Sequence, residues 1–140
     1  MDYLNSVLII GSGAREHAIV KALLRCDRPL CMFAYPGNPG MENDGCTIIT
    51  SPINDWTDLA EWALLNEIDL TVVGPEIPLV DGIVDIFKKR NLKIFGPSPK
   101  ASQLEGSKIF AKKIMEKYGI PTASFKTFSN IEAARLYVKQ

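Results

Sequence analysis

Val7-Leu8-Ile9-Ile10-Gly11-Ser12-Gly13-Ala14-Arg15-Glu16 runs an unbroken apolar, β-branched segment into two glycines and then into a helical pattern that continues to Arg25. A strand exposed on one face alternates apolar and polar residues; an unbroken apolar run predicts a strand buried on both faces. A tight turn straight into a helix then predicts the first β-α step of a layered α/β domain.

Leu30 to Ala34, Cys46 to Ile49 and Leu70 to Val73 read as further strands, with Lys93 to Phe95 a fifth. Helical patterns lie at Arg15 to Arg25, at Asp55 to Glu67 (Leu59, Trp62, Ala63 and Leu65 available for one face) and at Leu79 to Arg90. The order β-α-β-β-α-β-α-β predicts a mainly parallel, Rossmann-like α/β sheet with helices on both faces. Ligands of such sheets sit outside the carboxyl ends of the strands, where this sequence puts GSGARE, PGNPGMENDG, GPEIP and GPSPK. These four loops are expected to converge on one cleft.

The pattern changes after Pro97-Ser98-Pro99. A helix is expected over Ser107 to Tyr118 with Gly119 as its carboxyl cap, then a strand over Ser124 to Phe128 and a helix capped by Asn130 that runs into the end of the chain. The expected division is a domain over 1–103 and the start of a second, cut short, over 104–140.

The bulk numbers exclude several classes. With 140 residues, 46% hydrophobic and 23% charged, the chain is long enough to bury a core and far from disordered composition. Sixteen basic residues balance sixteen acidic ones, so no net field favours nucleic acid. Lys88-Lys89-Arg90 and Lys112-Lys113 read as solvated cations at or near helix ends. Cys26, Cys31 and Cys46, with His17 the only histidine, show neither CxxC spacing nor a metal cluster. No apolar run reaches the ~20 residues of a bilayer span, and the start MDYLNS lacks the basic region of a signal peptide. A cytoplasmic location, without membrane or nucleic-acid partners, is the expectation.

Gly11-Ser12-Gly13-Ala14-Arg15-Glu16 opens a helix whose free N–H groups and dipole suit an anion such as phosphate. A ligand-free strand-to-helix turn reads equally well from this motif alone. The full dinucleotide fingerprint wants glycine where Glu16 stands, and an acidic residue at the end of the second strand, where the chain has Ala34-Tyr35-Pro36-Gly37. Both departures argue against NAD. Pro36-Gly37-Asn38-Pro39-Gly40 taken by itself reads as turn chemistry. In Gly74-Pro75-Glu76-Ile77-Pro78 two prolines stiffen a loop whose Glu76 carboxylate can accept hydrogen bonds from sugar hydroxyls or an amine; the plainer alternative is a solvated glutamate. His17 reads as a polar residue packed near the sheet rather than a base, and no nucleophile-base pair is visible.

Together, GSGAREHA at 11–18, PGNPG at 36–40, VVGPEIPLVDGIVD at 72–85, FGPSPKASQLEGSKIFAKKIM at 95–115 and IPTASF at 120–125 resemble the phosphoribosylamine-glycine ligase family, the glycinamide ribonucleotide synthetases. The resemblance implies a pre-ATP-grasp domain over 1–103 followed by the beginning of an ATP-grasp domain over 104–140. It implies an ATP- and magnesium-dependent ligase of purine biosynthesis, in which glycine is activated as glycyl phosphate and attacked by the amine of phosphoribosylamine. By similarity, Gly11, Gly13, Arg15, Glu16, Asn38, Gly74, Glu76 and Pro78 line the phosphoribosylamine site, and Lys108 reaches the ATP phosphates. As a bland alternative, Lys108 is a solvated helix lysine beside Lys112, Lys113 and Lys117. Ala14 stands where the family usually carries a second consecutive glycine, so any positive φ needed there would be forbidden. The family's magnesium and glycine ligands are expected beyond Gln140, so this stretch is expected to contain no catalytic residue, to be inactive alone and to hold no cofactor tightly. Two other readings compete: a nucleotide- or NAD-binding regulatory module, and an interaction domain with no small ligand.

Overall fold

The computed structural model describes residues 5–139. The start MDYL and the final residue of the last predicted helix lie outside that range. The described chain falls into two compact units, one ending at Ser102 and the other beginning at Gln103.

The first unit carries β1 (Ser6–Gly11), α1 (Ala14–Leu23), β2 (Cys31–Pro36), α2 (Pro39–Asn43), β3 (Thr47–Ile48), α3 (Trp56–Leu65), β4 (Leu70–Val73), α4 (Glu76–Val80), α5 (Ile83–Lys89) and β5 (Ile94–Phe95). Its five strands are all parallel, in the order β3-β2-β1-β4-β5. The order reverses direction between β1 and β4, and loops leaving such a switch point bound the ligand crevice of open α/β sheets.

All six residues of β1 are buried. Leu8 and Ile10 join a core with Leu59, Ala63, Ile83, Val84 and Phe87 under α3 and α5. Val7 and Ile9 join Val20, Met32, Ala34, Met41 and Cys46 under α1 and α2. Alternation of side chains along one strand thus builds two cores, and the helices do cover both faces. At the far end of the sheet, Asp69 Oδ2 accepts from the N–H groups of Asn5 at 2.8 Å and Ser6 at 2.9 Å. This carboxylate ties the start of β1 to the start of β4.

Several expectations need correction. The helix predicted over Leu79 to Arg90 is broken: α4 stops at Val80, and Gly82 at φ +94° starts the new helix α5. Leu65 is 75% exposed, and the buried face of α3 is Leu59, Ala60 and Ala63 instead. Three stretches read as loops contain short helices, α2, α4 and α6 (Pro99–Gly106). Their prolines mislead because a helix's first turn needs no N–H from them, and Pro39, Pro78 and Pro99 all occupy first turns.

The second unit contains α7 (Lys108–Lys117) and α8 (Ile131–Val138). Ser107 Oγ accepts from Phe110 N–H at the start of α7, and Gly119 at φ +65° closes it. Asn130 caps α8 through Glu132 N–H, as its residue type predicts. The strand expected over Ser124 to Phe128 does not form, because no other strand among the described residues of this unit is available to complete a ladder. Lys112 lies within α7, not at its end, and donates to Thr122 Oγ1 at 2.6 Å and Ala123 O at 2.9 Å, holding this extended segment. No residue of α7 or α8 is buried, and Ile131 and Val138 are 68% and 82% exposed.

Candidate functional site

Three loops meet at the carboxyl end of β1: GSGARE continues the strand, and PGN and GPE are fastened to the three consecutive carbonyls of Ile10, Gly11 and Ser12. Ile10 O accepts from Gly74 N–H at 3.0 Å, Gly11 O from Gly37 N–H at 3.2 Å, and Ser12 O from Asn38 Nδ2 at 2.9 Å. The sheet register sets this up, since β2 and β4 flank β1 and end level with it. Asn38 also caps α2, its Oδ1 accepting from Met41 N–H at 3.0 Å. GSGARE, PGN and GPE therefore bound one place. The fourth loop takes a different partner: a Cβ on Gly96 would press on Leu79 and Val84, and Pro99 lies against Gly82.

Glu16 fills the centre of this junction. It is the third residue of α1, and its Oε2 accepts from the N–H of the cap residue Gly13 at 2.7 Å. That is the acidic half of a capping box; Gly13 has no side chain to return the bond. The side chain is 4% exposed, and Oε1 has no hydrogen-bond partner among the described residues. A Cβ on Gly11 or Gly74 would collide with Glu16 Cγ, and one on Gly13 would lie 2.8 Å from Oε2. The glycines predicted to admit a ligand thus clear room for a side chain of the protein itself, and the anion at the start of α1 is a carboxylate of the chain.

Arg15 extends over the same place. Its Nε lies 4.0 Å from Glu16 Oε1 and its Nη2 lies 3.8 Å from Glu76 Oε2, with the side chain 70% exposed. Both separations exceed hydrogen-bond length, so the guanidinium is a loose counter-ion. Glu76 begins α4 and is 40% exposed. Pro78 is buried within α4 with Leu79, so packing is its visible role. Ala14 is the first residue of α1 and is not among the positive-φ residues, so no glycine is required there.

His17 belongs to a network that sequence spacing does not reveal. Its Nε2 lies 2.6 Å from Asp44 Oδ2, and Lys21 Nζ lies 3.5 Å from the same oxygen. The hydrogen bond with His17 holds the Asp44 carboxyl below its ordinary value, and Lys21 adds to this against partial desolvation. A Cβ on Gly40 would lie 2.6 Å from His17 Cε1, so the ring packs directly on the turn into α2. His17 and Asp44 thereby clamp the PGN loop to α1. Asp44 is 27 residues away in sequence, and nothing in its local pattern marks it.

In the second unit, Lys108 is exposed in the first turn of α7. A cation there opposes the helix dipole, so its placement does not serve helix stability. Elsewhere in the first unit, Tyr35, Ile53, Asn54, Asp55, Trp56 and Asp81 line a cleft of about 320 Å3. Cys26 and Cys31 are exposed and Cys46 is buried, all as free thiols. Among the described residues no group of three His, Cys, Asp or Glu is placed to hold a metal ion. None of their helices is long and apolar enough to cross a membrane.

Comparison with known proteins places residues 5–105 in a family. Residues 5–105 match the family described as "Phosphoribosylglycinamide synthetase, N domain". A phosphoribosylamine-glycine ligase of Streptococcus suis is 50% identical over 134 residues, which is 96% of this chain and 32% of the relative. The corresponding ligase of Caldanaerobacter subterraneus is 48% identical with the same coverage. The chain spans about a third of the length of the curated relatives it matches. Among solved structures, the biotin carboxylase domain of Hydrogenobacter thermophilus 2-oxoglutarate carboxylase matches with a TM-score of 0.67 at 16% identity, over 99% of this chain and 33% of that one. The biotin carboxylase subunit of a pyruvate carboxylase gives 0.60 at 20% identity, over 98% and 33%. At such identities the likeness is one of fold alone. The sequence match extends over the GSGARE, PGN and GPE loops, and the chain belongs to the phosphoribosylglycinamide synthetase N-domain family.

Proposed function

We propose that this chain is the amino-terminal, substrate-binding part of an ATP-dependent carbon-nitrogen ligase that joins glycine to 5-phosphoribosylamine, giving glycinamide ribonucleotide in purine biosynthesis. The observation that carries this reading is the junction of the GSGARE, PGN and GPE loops at the β1/β4 switch point, with two carboxylates turned toward it. A sugar amine is rich in hydrogen-bond donors, and carboxylates accept them. Relatives called phosphoribosylamine-glycine ligase, nearly half identical across this stretch, support the same assignment.

In this reading Gly11, Gly13, Arg15, Glu16, Asn38, Gly74 and Glu76 form or frame the phosphoribosylamine side, and Pro78 supports Glu76 from within α4. Residues 1–103 act as the pre-ATP-grasp domain and 104–140 as the beginning of the ATP-grasp domain. The separation of compact units between Ser102 and Gln103 supports that division. Lys108 reaches ATP, meeting phosphate as a point charge. In the same reading magnesium serves the full-length enzyme, and the residues of this stretch bind and orient the substrate. The work of this part is to hold the ribosylamine at a fixed place, which lowers the entropic cost of attack on an acyl phosphate. The working place is the cytoplasm, and the chain alone does not turn over ATP.

The test is a chimaera in which this chain replaces the matching third of the Streptococcus suis ligase. Glycine- and ATP-dependent formation of glycinamide ribonucleotide from phosphoribosylamine is expected, with none from the chain alone. A soluble, folded chimaera without that activity, beside an active parent, would contradict the assignment.

A further inference from the structure

The start of α1 is where a fold of this kind usually receives a ligand's phosphate, because free N–H groups and the helix dipole converge there. Here Gly13 N–H is already engaged by Glu16 Oε2, and the space that Gly11, Gly13 and Gly74 leave open is filled by the Glu16 side chain. A phosphate entering this place would lose that amide as a donor and would face a carboxylate of like charge.

The other oxygen points to what does enter. Glu16 Oε1 is buried, lacks a hydrogen-bond partner among the described residues and lies against Gly74, at the root of the loop that carries Glu76. Buried acceptors are nearly always satisfied, so an unmatched one at a junction of binding loops calls for a donor. The nearest cation is the Arg15 guanidinium, 4.0 Å away, largely exposed and shared with Glu76 at 3.8 Å. Such a long, solvated ion pair is readily displaced. Arg15 thus stands as an internal substitute for a donor-bearing ligand between two carboxylates.

Resting on the substrate-binding reading above, we propose that Glu16 is a specificity-determining residue. Its buried carboxylate takes the place of a ligand anion at the start of α1, so that the GSGARE loop receives the hydroxyl or amine face of the phosphorylated ribosylamine and turns its phosphate away. The same carboxylate excludes the pyrophosphate of a dinucleotide from this loop, which sets the site apart from NAD-binding relatives of the fold.

The test is backbone amide NMR of the whole chain, titrated separately with inorganic phosphate and with ribose 5-phosphate, for wild type, Glu16→Gln and Glu16→Ala. In wild type, inorganic phosphate is expected to leave the Gly13, Ala14 and Arg15 amides unmoved. Glu16→Ala frees the helix start and should bind inorganic phosphate there roughly tenfold more tightly, the size of a helix amino-terminal anion contact. Glu16→Gln keeps the shape, so it decides the matter if the alanine variant does not fold. It should weaken ribose 5-phosphate several-fold, with the β1 amide shifts preserved as evidence of folding. Wild-type Gly13 shifting with inorganic phosphate as strongly as either variant would overturn the proposal, as would equal ribose 5-phosphate affinity in wild type and Glu16→Gln. An inactive chimaera alongside the expected shifts would sink the ligase reading and leave the role of Glu16 standing; an active chimaera with phosphate bound at Gly13 would do the reverse.

Discussion

Glu16 reaches back along the first turn of α1 to take the N–H of Gly13 at 2.7 Å, and in doing so lies across the ground that Gly11 and Gly74 keep clear. The glycine pattern of the loop and the glutamate that departs from the dinucleotide fingerprint are therefore one arrangement: each glycine lacks a Cβ where Glu16 needs room.

That relationship predicts a rescue. Gly74→Ala should destabilise the chain by about 1–3 kcal/mol, the usual cost of overpacking, measured by urea denaturation. Combining it with Glu16→Ala should remove most of the collision, so the double variant should lose less stability than the sum of the two single losses. Strict additivity would show that Gly74 is held by something other than Glu16.

A pH effect follows from Asp69. Hydrogen bonds from the Asn5 and Ser6 N–H groups hold its carboxyl below its ordinary value of 3.8. A carboxyl with a depressed folded-state value stabilises the fold above its unfolded value and loses that contribution as pH falls through the folded one. Asp69→Asn should therefore be less stable than wild type at pH 6, and the gap between their urea midpoints should shrink as pH drops below 3.8. A gap independent of pH would mean that the charge of Asp69 contributes nothing.

The cysteines should react unequally. Burial pushes the Cys46 thiol up to about 11, whereas Cys26 and Cys31 are exposed. The thiolate is the nucleophile, so iodoacetamide at pH 8 should add to Cys26 and Cys31 and spare Cys46 until denaturant is present. Early modification of Cys46, read by mass spectrometry of peptides, would show that its core opens readily.

The two units should differ in protection. With no buried residue in α7 or α8, their amides should exchange well before those of β1, whose six residues are all buried. Equal protection in the 140-residue chain would mean that these helices have acquired a packing partner.

The sequence carried much of this arrangement in its local pattern. The run from Val7 to Ile10 made β1 legible as a doubly buried strand, and Ser107, Gly119 and Asn130 marked helix ends through chemistry confined to one turn. The short helices α2, α4 and α6 were hidden because proline reads as a break, yet costs nothing in a first turn. Gly82 interrupts a pattern that is apolar at helical spacing on both sides, so one helix was expected where α4 and α5 stand. At the site, Gly13, Asn38 and Glu76 were legible as loop residues at strand ends. The pairing of His17 with Asp44 and the placement of Glu16 among three glycines were not, because they arise from the β2-β1-β4 neighbourhood rather than from spacing along the chain.

Placement of a phosphorylated ribose on the loops at the end of β1 is tested most directly by an amide NMR titration of the chain with ribose 5-phosphate, comparing wild type with Glu76→Ala. Binding should be weak, about millimolar, equivalent to roughly 4 kcal/mol, because a few solvent-open polar contacts must offset the lost translational freedom of the sugar. Shifts are expected to concentrate in Gly11 to His17, Gly37 to Gly40 and Gly74 to Ile77, with a several-fold loss of affinity in Glu76→Ala. Shifts confined to another surface, such as the cleft between Tyr35 and Trp56, or unchanged affinity in Glu76→Ala, would contradict it.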